Sequence, residues 1–462
     1  NPKGTLALCD GDEDTLTLAW EAATAALNSS GIGASQVSGL WWGTTRPPFA
    51  EGPSLAFLSA GLGLESSSQG ALLCGSTHSG MEALLGAWDA ISSGGAEYAL
   101  VVASDALVPG LGTTTELTTG AGAGALLLGS GEKGACGRLL ARSTRSAPVV
   151  DRYRADAERA TGDAYDPRLF REEIYLPLLS AAGTAAVGSD GAGAAPEAWA
   201  VSDPDGKLAG TLVKRMGARL VSGPVQASLG DTGAAAPILG LVQACAAQSG
   251  QPGRVGMIGY GGGRATAVVA ELDGAVPGSS SVERALDSGT PVTYTAALRA
   301  RGQLDPMAEP IQMGLPPGGA AFARGNTEML LLEGARCESC GTISTPPSVH
   351  PACTGCGGTE LETVKLSRRG TVVTFVVNQT MPPPFAAPLP LMVIDLDDGA
   401  RLMVQGTPAD AELLAVGDTV GLTLRRYALE RGIPVYGYKA SRITSADGAG
   451  GESAKDLEEV RR

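Results

Sequence analysis

The stretch from residue 70 to residue 105, GALLCGSTHSGMEALLGAWDAISSGGAEYALVVASD, decides the fold of this chain. An apolar run at Ala71–Cys74 leads into a Gly-Ser turn, then an amphipathic segment at Ser79–Ser92, then a β-rich run at Tyr98–Ala103. The apolar residues of the middle segment recur with helical spacing. This order predicts a strand, a sharp turn, a helix and a strand, which is the repeating unit of a parallel or mixed sheet covered by helices.

The same alternation extends in both directions from this stretch. Before and just after it, the pattern predicts helices at 14–28 and 53–64 and strands at 37–44 and 120–128. Further along, it predicts helices at 166–182, 206–217 and 232–248 and strands at 198–202, 255–259 and 265–272. The recurrence indicates a duplicated βαβαβαββ α/β core with halves at 1–135 and 136–273. The small-residue stretch Ser180–Pro196 predicts a surface loop.

Composition narrows the classes of function. The 462 residues carry a formal net charge of −14, which disfavours binding to nucleic acid or to an anionic membrane. No apolar run approaches the roughly 18 residues of a membrane span. Four of the eight cysteines form one cluster and four are scattered, which is not the framework of a secreted disulfide protein. We therefore expect a cytoplasmic protein.

The chain changes character after residue 273. Frequent Pro, Gly and Ser at 274–335 predict a connector with one helical piece near 292–301. A zinc ribbon is predicted at 336–360, an OB-fold at 361–445 and a disordered tail at 446–462.

Two CxxC motifs, Cys337-Glu-Ser-Cys340 and Cys353-Thr-Gly-Cys356, lie twelve residues apart. Each motif can supply two thiolates to one tetrahedral ion, so the four cysteines predict a closed structural Zn²⁺ site. Gly341 and Gly357 follow the motifs and permit tight turns. His350 either replaces a ligand or is a loop residue, and an iron site or a fortuitous cluster is the alternative to zinc. Four thiolates leave no open position for a substrate, so we expect no catalysis there.

Five short strands after the ribbon predict an OB-like barrel: 370–378, 391–396, 400–406, 419–425 and 434–439. Four segments resemble the DUF35 family of zinc ribbon plus OB-fold proteins: CESCGTISTPPSVHPACTGC (337–356), GTVVTF (370–375), LMVIDLDDGARLMVQGT (391–407) and GDTVGLTL (417–424). The resemblance implies an acyl-CoA-associated partner of thiolase-type enzymes. OB-folds also bind single-stranded nucleic acid, but few aromatic residues and acidic charge argue against that role.

The stretch at 70–105 resembles the nucleophile segment of the thiolase superfamily, most closely the hydroxymethylglutaryl-CoA synthase and ketoacyl synthase III branch. The segment Asp10–Thr15, DGDEDT, is similar to an early DEDT segment of that family. The resemblance covers about 260 residues. It implies an acyl-CoA thioester as substrate, a homodimer through the thiolase-like domain and a thiolase-type protein partner.

The family's four chemical groups do not recur in this chain. By resemblance, the nucleophilic cysteine falls on Thr77 and the glutamate on Thr44 or Thr45. The histidine falls on Ser202, and the asparagine becomes Asp231. A threonine without a strong base does not readily carry an acyl group.

Other residues remain candidates for chemistry. Thr77 or His78 could polarise a substrate carbonyl together with Tyr260 and Asp231, while the alternative is that His78 packs beneath a vestigial pocket. Cys74 is expected to be a core cysteine.

Substrate binding is expected at Thr45 and along a glycine-rich turn. That turn follows a predicted strand, where backbone amides at Gly261, Gly262 and Gly263 could form an oxyanion pocket.

Three functions therefore remain open. In the first, the chain is a fused subunit of an acyl-CoA carbon–carbon bond system whose thiolase-type partner supplies the cysteine. In the second, it is a Cys-independent retro-aldolase on β-hydroxyacyl-CoA that uses Tyr260, Asp231 and His78. In the third, it is a non-catalytic scaffold that binds acyl-CoA or an acyl carrier. We favour the first, with the chain's own catalytic role left open.

Overall fold

The computed structural model describes residues 5–131, 134–156, 158, 160–163, 166–189, 195–204, 206, 208–304, 328–381, 387–430 and 433–443. The predicted tail at 446–462 and residues 305–327 of the predicted connector lie outside these ranges. The chain divides into two compact units. Unit 1 comprises Asn1–Cys9, Asp14–Leu55 and Leu64–Arg301, and unit 2 comprises Asp10–Glu13, Ala56–Gly63 and Gly302–Arg462.

The first sheet of unit 1 follows the order β2-β1-β3-β4. Its strands are β1 (Gly39–Gly43), β2 (Gln69–Leu73), β3 (Tyr98–Ala106) and β4 (Ala121–Gly129). Strand β1 is parallel to β2 and to β3, and β4 is antiparallel to β3. The helices of this part of the chain are α1 (Thr15–Ser30), α2 (Ser54–Leu62) and α3 (Ser79–Ser92). Asp14 begins α1, because its side chain accepts hydrogen bonds from the amides of Leu16 and Thr17.

The second sheet follows the order β5-β11-β10-β8-β9. Its strands are β5 (Gly137–Ser146), β8 (Ala198–Val201), β9 (Arg219–Leu220), β10 (Gly253–Gly261) and β11 (Arg264–Leu272), and a small separate ladder joins β6 (Arg152–Tyr153) to β7 (Gly162–Asp163). The helices are α4 (Pro167–Phe170), α5 (Leu176–Ser189), α6 (Ala209–Arg215), α7 (Gly223–Leu229), α8 (Ala236–Ala247), α9 (Ser281–Asp287) and α10 (Tyr294–Ala300). A π-helical turn (Arg171–Tyr175) joins α4 to α5, and a 3₁₀ turn (Gly233–Ala235) precedes α8.

The two sheets repeat one topology, which confirms the duplicated α/β core. In the second sheet, β8 is parallel to β9 and β10, and β11 is antiparallel to β10, as in the first sheet with β1, β2, β3 and β4. Strand β5, which the sequence analysis did not predict, adds an edge strand beside β11. Small residues allow the layers to approach closely: a Cβ on Gly80 of α3 would lie 2.1 Å from the carbonyl oxygen of Ala234.

Two local expectations were wrong. The predicted loop at Ser180–Pro196 is helical up to Ser189, because alanine favours helix and Ala182 and Ala186 are fully buried in the core of the second half. Cys74 is exposed and is not a core residue, since β2 is an edge strand that ends at Leu73.

Unit 2 holds two all-β sheets. The first has the order β13-β12-β14, with β12 (Glu333–Cys337), β13 (Ile343–Ser344) and β14 (Leu361–Lys365). The second is antiparallel with the order β17-β16-β15-β18-β19, formed by β15 (Arg369–Asn378), β16 (Leu389–Leu396), β17 (Arg401–Gln405), β18 (Thr419–Glu430) and β19 (Ile433–Arg442). A bridge between Gly406 and Ala440 brings its two edges together, so this sheet nearly closes into the predicted OB barrel. None of the helices in the described ranges has the length and apolar character that crossing a bilayer requires.

Candidate functional site

Most of the candidate residues lie where strands of the two sheets end. Thr45 follows β1, Thr77 follows β2, Ser202 follows β8, and Tyr260 lies at the end of β10. The carboxyl ends of parallel strands share one edge of a sheet, and loops at that edge commonly form binding sites. The duplicated topology therefore accounts for residues distant in sequence lying near one another.

Thr77 lies against the glycine-rich turn of the other half. Its hydroxyl donates a hydrogen bond to the carbonyl oxygen of Tyr260, at 2.9 Å. A Cβ on Gly261 would lie 2.4 Å from both Thr77 Oγ1 and the amide nitrogen of His78, so only glycine fits there. Gly262 and Gly263, with φ of +54° and +71°, turn β10 into β11. A role for these amides in an oxyanion pocket stays a prediction.

His78 is fully buried and binds neighbouring side chains. Its Nε2 lies 2.8 Å from Thr266 Oγ1 on β11, and this hydroxyl lies 2.8 Å from Thr144 Oγ1 on β5. Its Nδ1 lies 3.4 Å from Glu82 Oε1, one turn along α3. These contacts favour the structural alternative for His78 over contact with a substrate.

An aromatic cluster joins Tyr260 to Ser202. The Tyr260 hydroxyl donates to Asp151 Oδ2 at 2.7 Å, and its ring centroid lies 5.2 Å from that of Tyr175 and 5.9 Å from that of Phe170. The Tyr175 hydroxyl donates to the carbonyl oxygen of Ser202. The buried Ser202 Oγ has no hydrogen-bond partner among the described residues, and a role for it in binding or catalysis stays a prediction.

Asp231 and Tyr260 belong to two separate sets of hydrogen-bonded side chains. Its Oδ1 accepts from the amide of Gly233 at 3.0 Å, and its Oδ2 lies 2.9 Å from Arg152 Nη1. Asp151 and Arg152 are adjacent at the start of β6, so one segment contacts both sets. The sequence analysis missed this pair, because single charged residues in a polar segment carry no spacing signal.

Asp105 is a buried carboxylate that the sequence analysis also missed. It lies near the end of β3 with no exposed surface. Its Oδ1 accepts from the Thr45 hydroxyl at 2.6 Å and the Thr45 amide at 3.3 Å, and its Oδ2 accepts from the Ala234 amide at 3.0 Å. Burial raises the pKa of Asp105 to about 6, against the lowering effect of these hydrogen bonds. A signal existed in the sequence, namely an aspartate that ends a run of apolar strand residues.

Two cavities on unit 1 lie near these residues without reaching Thr77. A depression of about 240 Å³ is lined by Arg145, Ser146, Ala147, Glu173, Ile174, Pro177, Leu178 and Ala181. The amide of Ala147 donates to the carbonyl oxygen of Gly263, so this depression borders the glycine-rich turn. The other is a narrow cleft lined by Leu107, Pro109, Thr115, Thr119, Arg152 and Thr161.

The four cysteines of unit 2 converge on one point. Cys337 Sγ lies 3.6 Å from Cys356 Sγ, Cys340 Sγ lies 3.5 Å from Cys353 Sγ, and all four sulfur atoms lie within 4.8 Å of one another. Tetrahedral zinc with Zn–S bonds of about 2.3 Å separates its sulfur ligands by roughly 3.8 Å, so the cluster fits this ion.

The loops around the cysteines agree with a four-thiolate site. Gly341 and Gly357 both have positive φ, +73° and +76°, as the tight turns require. His350 Nε2 lies 3.1 Å from the carbonyl oxygen of Thr345, and His350 is not part of the sulfur cluster, so it is a loop residue. Hydrogen bonding with the side chain and the amide of Thr342 lowers the pKa of Cys340 to about 6, which favours a thiolate.

Comparisons with known proteins divide along the same line as the two units. A family model described as the C-terminal OB-fold domain of ChsH2 matches residues 363–425. A DUF35 domain-containing scaffold protein of Methanocaldococcus jannaschii is 35% identical over 121 residues, which make up 25% of this chain and 84% of that protein.

The thiolase-like part has its own relatives. A hydroxymethylglutaryl-CoA synthase of Pyrococcus furiosus is 33% identical over 118 residues, 26% of this chain and 34% of that enzyme, so the match spans about a third of the relative. A synthase of the same name from Aeropyrum pernix is 25% identical over 310 residues, 63% of this chain and 82% of that enzyme.

The fold has a counterpart among solved structures. MvaS in complex with 3-hydroxy-3-methylglutaryl coenzyme A aligns with a TM-score of 0.56 and 21% identity, over 68% of this chain and 85% of that one. This likeness concerns the fold alone. Through its C-terminal part the chain belongs to the DUF35 domain-containing scaffold proteins, and it joins that part to a thiolase-like domain that is similar to hydroxymethylglutaryl-CoA synthases.

Proposed function

We propose that this chain is the thioester-binding component of an acyl-CoA carbon–carbon bond system, and that it does not itself carry the acyl group. A thiolase-type partner protein supplies the acyl-cysteine. The observation that carries the proposal is the environment of Thr77, at the turn where the related family has its nucleophile.

Thr77 lacks what an alcohol nucleophile needs. Its hydroxyl proton goes to the carbonyl oxygen of Tyr260, which is not a base, and His78 Nε2 is engaged with Thr266. An alcohol becomes a useful nucleophile only when an adjacent base removes its proton. The fold of an acyl-transfer enzyme is therefore combined with a turn that is poorly suited to acyl transfer.

Similarity to the relatives supports the proposed substrate class and the proposed partner. Similarity to the hydroxymethylglutaryl-CoA synthases and to the MvaS complex supports coenzyme A thioesters as ligands of this chain. Similarity to the DUF35 scaffold proteins supports assembly with another protein. In this chain the scaffold-type part and a thiolase-like part are fused, which favours a complex with a thiolase-type enzyme.

The test is the intact mass of the purified chain after incubation with acetyl-CoA, for the wild type and for Thr77→Cys and Thr77→Ala. We expect no adduct on the wild type or on Thr77→Ala. Thr77→Cys restores a thiol at the start of α3, and we expect it to gain an acetyl adduct. An acetyl group on wild-type Thr77 would refute the proposal.

One observation favours a second candidate function, a retro-aldolase on β-hydroxyacyl-CoA. Buried Tyr260 and partly exposed Asp151 form a phenol–carboxylate pair that could take the proton of the β-hydroxyl group. The bond between C2 and C3 would then break, releasing a carbonyl compound and an acyl-CoA enolate that is protonated at C2. Cleavage by the chain alone, abolished in Tyr260→Phe, would favour this function over the first.

The metal of unit 2 is zinc in our proposal. Four thiolates in a small tetrahedral cluster are a typical donor set for structural zinc, and Cys337, Cys340, Cys353 and Cys356 would hold it. Bound there, the ion would fix the ribbon and would take no part in the chemistry of unit 1.

A further inference from the structure

An acidic turn is held in a slot on the barrel of unit 2. The turn is Asp10–Glu13, which belongs to unit 2 although it is far in sequence from the barrel strands β18 and β19. Its own hydrogen bonds close it: the Glu13 amide donates to the Asp10 carbonyl oxygen at 3.1 Å, and the Asp10 amide donates to Glu13 Oε2 at 2.9 Å. Since these bonds are local, a turn of the same composition in another polypeptide can present the same groups.

Two cations of the barrel bind the carboxylates of this turn. Lys439 Nζ on β19 lies 2.9 Å from Asp12 Oδ2, and Arg425 Nη2 on β18 lies 3.1 Å from Glu13 Oε1. Lys439 is 3% exposed, and its Nζ lies 5.6 Å from the centroid of the Tyr427 ring, so an aromatic ring and a carboxylate surround the ammonium group. A charge buried this deeply requires an opposite charge, so the slot selects an acidic segment.

The backbone of β18 also binds the turn. The pairing of β18 with β19 shifts register between Arg426 and Ala428, which marks a β-bulge. At this bulge the Arg426 amide donates to the carbonyl oxygen of Asp12 at 2.8 Å, and Arg426 Nη2 donates to that of Gly11 at 2.8 Å. The slot therefore contacts both the backbone and the carboxylates of the turn, as peptide-binding sites do.

We propose that this slot, formed by Arg425, Arg426 and Lys439, is a docking site for an acidic turn of a partner protein, and that Asp10–Glu13 occupies it when no partner is bound. The slot defines the chemistry of the partner: a tight turn with two consecutive carboxylates. Exchange of one acidic turn for another keeps Lys439 paired, so it avoids the cost of a buried charge left alone. The inference deepens the proposed function and rests on it for the existence of a protein partner.

Binding of a labelled peptide to the full-length chain tests the slot. The acidic probe is a fluorescein-labelled peptide of residues 8–17, LCDGDEDTLT, with serine in place of the cysteine, and the control peptide carries amides at the positions of Asp12 and Glu13. The wild type holds its own turn at high effective concentration, and Asp12→Asn combined with Glu13→Gln opens the slot. We expect this double variant to bind the acidic probe roughly 10-fold more tightly than the wild type does, and about 30-fold more tightly than it binds the control peptide.

Lys439→Met, added to the double variant, removes the buried charge and keeps the length of the side chain. A buried lysine without a carboxylate costs more than a methionine, so we expect this triple variant to fold at least as well as the double variant. It should lose the preference for the acidic probe, whereas Lys365→Met, at an exposed position of β14, should keep it. Thermal unfolding gives a second readout, because the acidic probe should raise the melting temperature of the double variant and the control peptide should not.

The contrary outcomes are distinct from failure of the proposed function. Equal affinity of the double variant for the two peptides, or a preference that survives Lys439→Met, would overturn the docking site. Absence of binding together with an unchanged melting temperature would overturn it as well. None of these results bears on the binding of acyl-CoA, which mass measurement tests without any peptide.

Discussion

At the scale of single residues, the candidate site brings together two turns from different halves of unit 1. The strand-to-helix turn at Thr77 and the glycine-rich turn at Gly261 keep close contact, with the Thr77 hydroxyl 2.9 Å from the Tyr260 carbonyl oxygen. The places of Thr77 and Tyr260 at strand ends were predictable from the sequence. Asp105, Asp151 and Arg152 were not, because their roles arise from contacts with residues distant along the chain.

Asp105 should make the stability of unit 1 depend on pH. Its folded-state pKa of about 6 lies above the ordinary aspartate pKa of 3.8, so between these pH values the folded chain binds more protons than the unfolded chain. The free energy of unfolding should therefore fall as pH rises from 4 to 6, by roughly 2 kcal/mol from this group. Arg46, the charged neighbour that lowers this pKa, opposes the effect.

Denaturant unfolding at pH 4.5, 5.5, 6.5 and 7.5 measures this dependence in wild type and Asp105→Asn. We expect the wild type to lose stability relative to the variant as pH rises, mostly below pH 6.5. Asp156→Asn, at an exposed position, controls for the substitution itself. A stability difference between wild type and Asp105→Asn that does not change with pH would contradict the assignment.

At the scale of elements, the order of strands and helices was largely predictable from the sequence. The prediction was wrong where a run of small residues fits both a helix and a loop. Buried runs such as β3 and the helical spacing of α3 were clear signals. The alanine-rich start of the predicted loop at Ser180–Pro196 is the end of α5, because burial against the second sheet, and not polarity, decides its state. Strand β5 was missed because its alternating polar residues, including Arg138 and Arg142, suit an edge strand and resemble a loop.

The folding of the proposed zinc ribbon should depend on its metal. Its strands are short, with β13 only two residues long, so the metal–thiolate bonds are expected to supply much of its folding free energy. We expect about one zinc ion per chain by metal analysis, and rapid proteolysis within 336–360 after treatment with a strong chelator.

Two cysteine variants make this prediction specific. Cys340→Ser should lower the zinc content and reproduce the proteolysis, while Cys136→Ser, outside the cluster, should do neither. Full zinc content in Cys340→Ser would show that the four-thiolate assignment is wrong.

At the scale of the whole molecule, β2 is one of the two edge strands of the first sheet, with β4 at the other edge. Strand β2 pairs with β1 on one side and has no strand on its other side among the described residues. Thiolase-like domains are expected to pair through a sheet edge, so we predict a homodimer with twice the 46.4-kDa mass of the chain. Light scattering at micromolar concentration checks this, and a monomeric mass there would contradict it.

The central claim is that the chain binds acyl-CoA thioesters without being acylated. The most direct test is the mass of the wild-type chain equilibrated with acetyl-CoA, recorded once under native and once under denaturing conditions. We predict a complex with intact acetyl-CoA in the native spectrum and the unmodified chain mass in the denatured one. An acetyl group that survives denaturation would contradict the claim, and so would a native spectrum without bound acetyl-CoA.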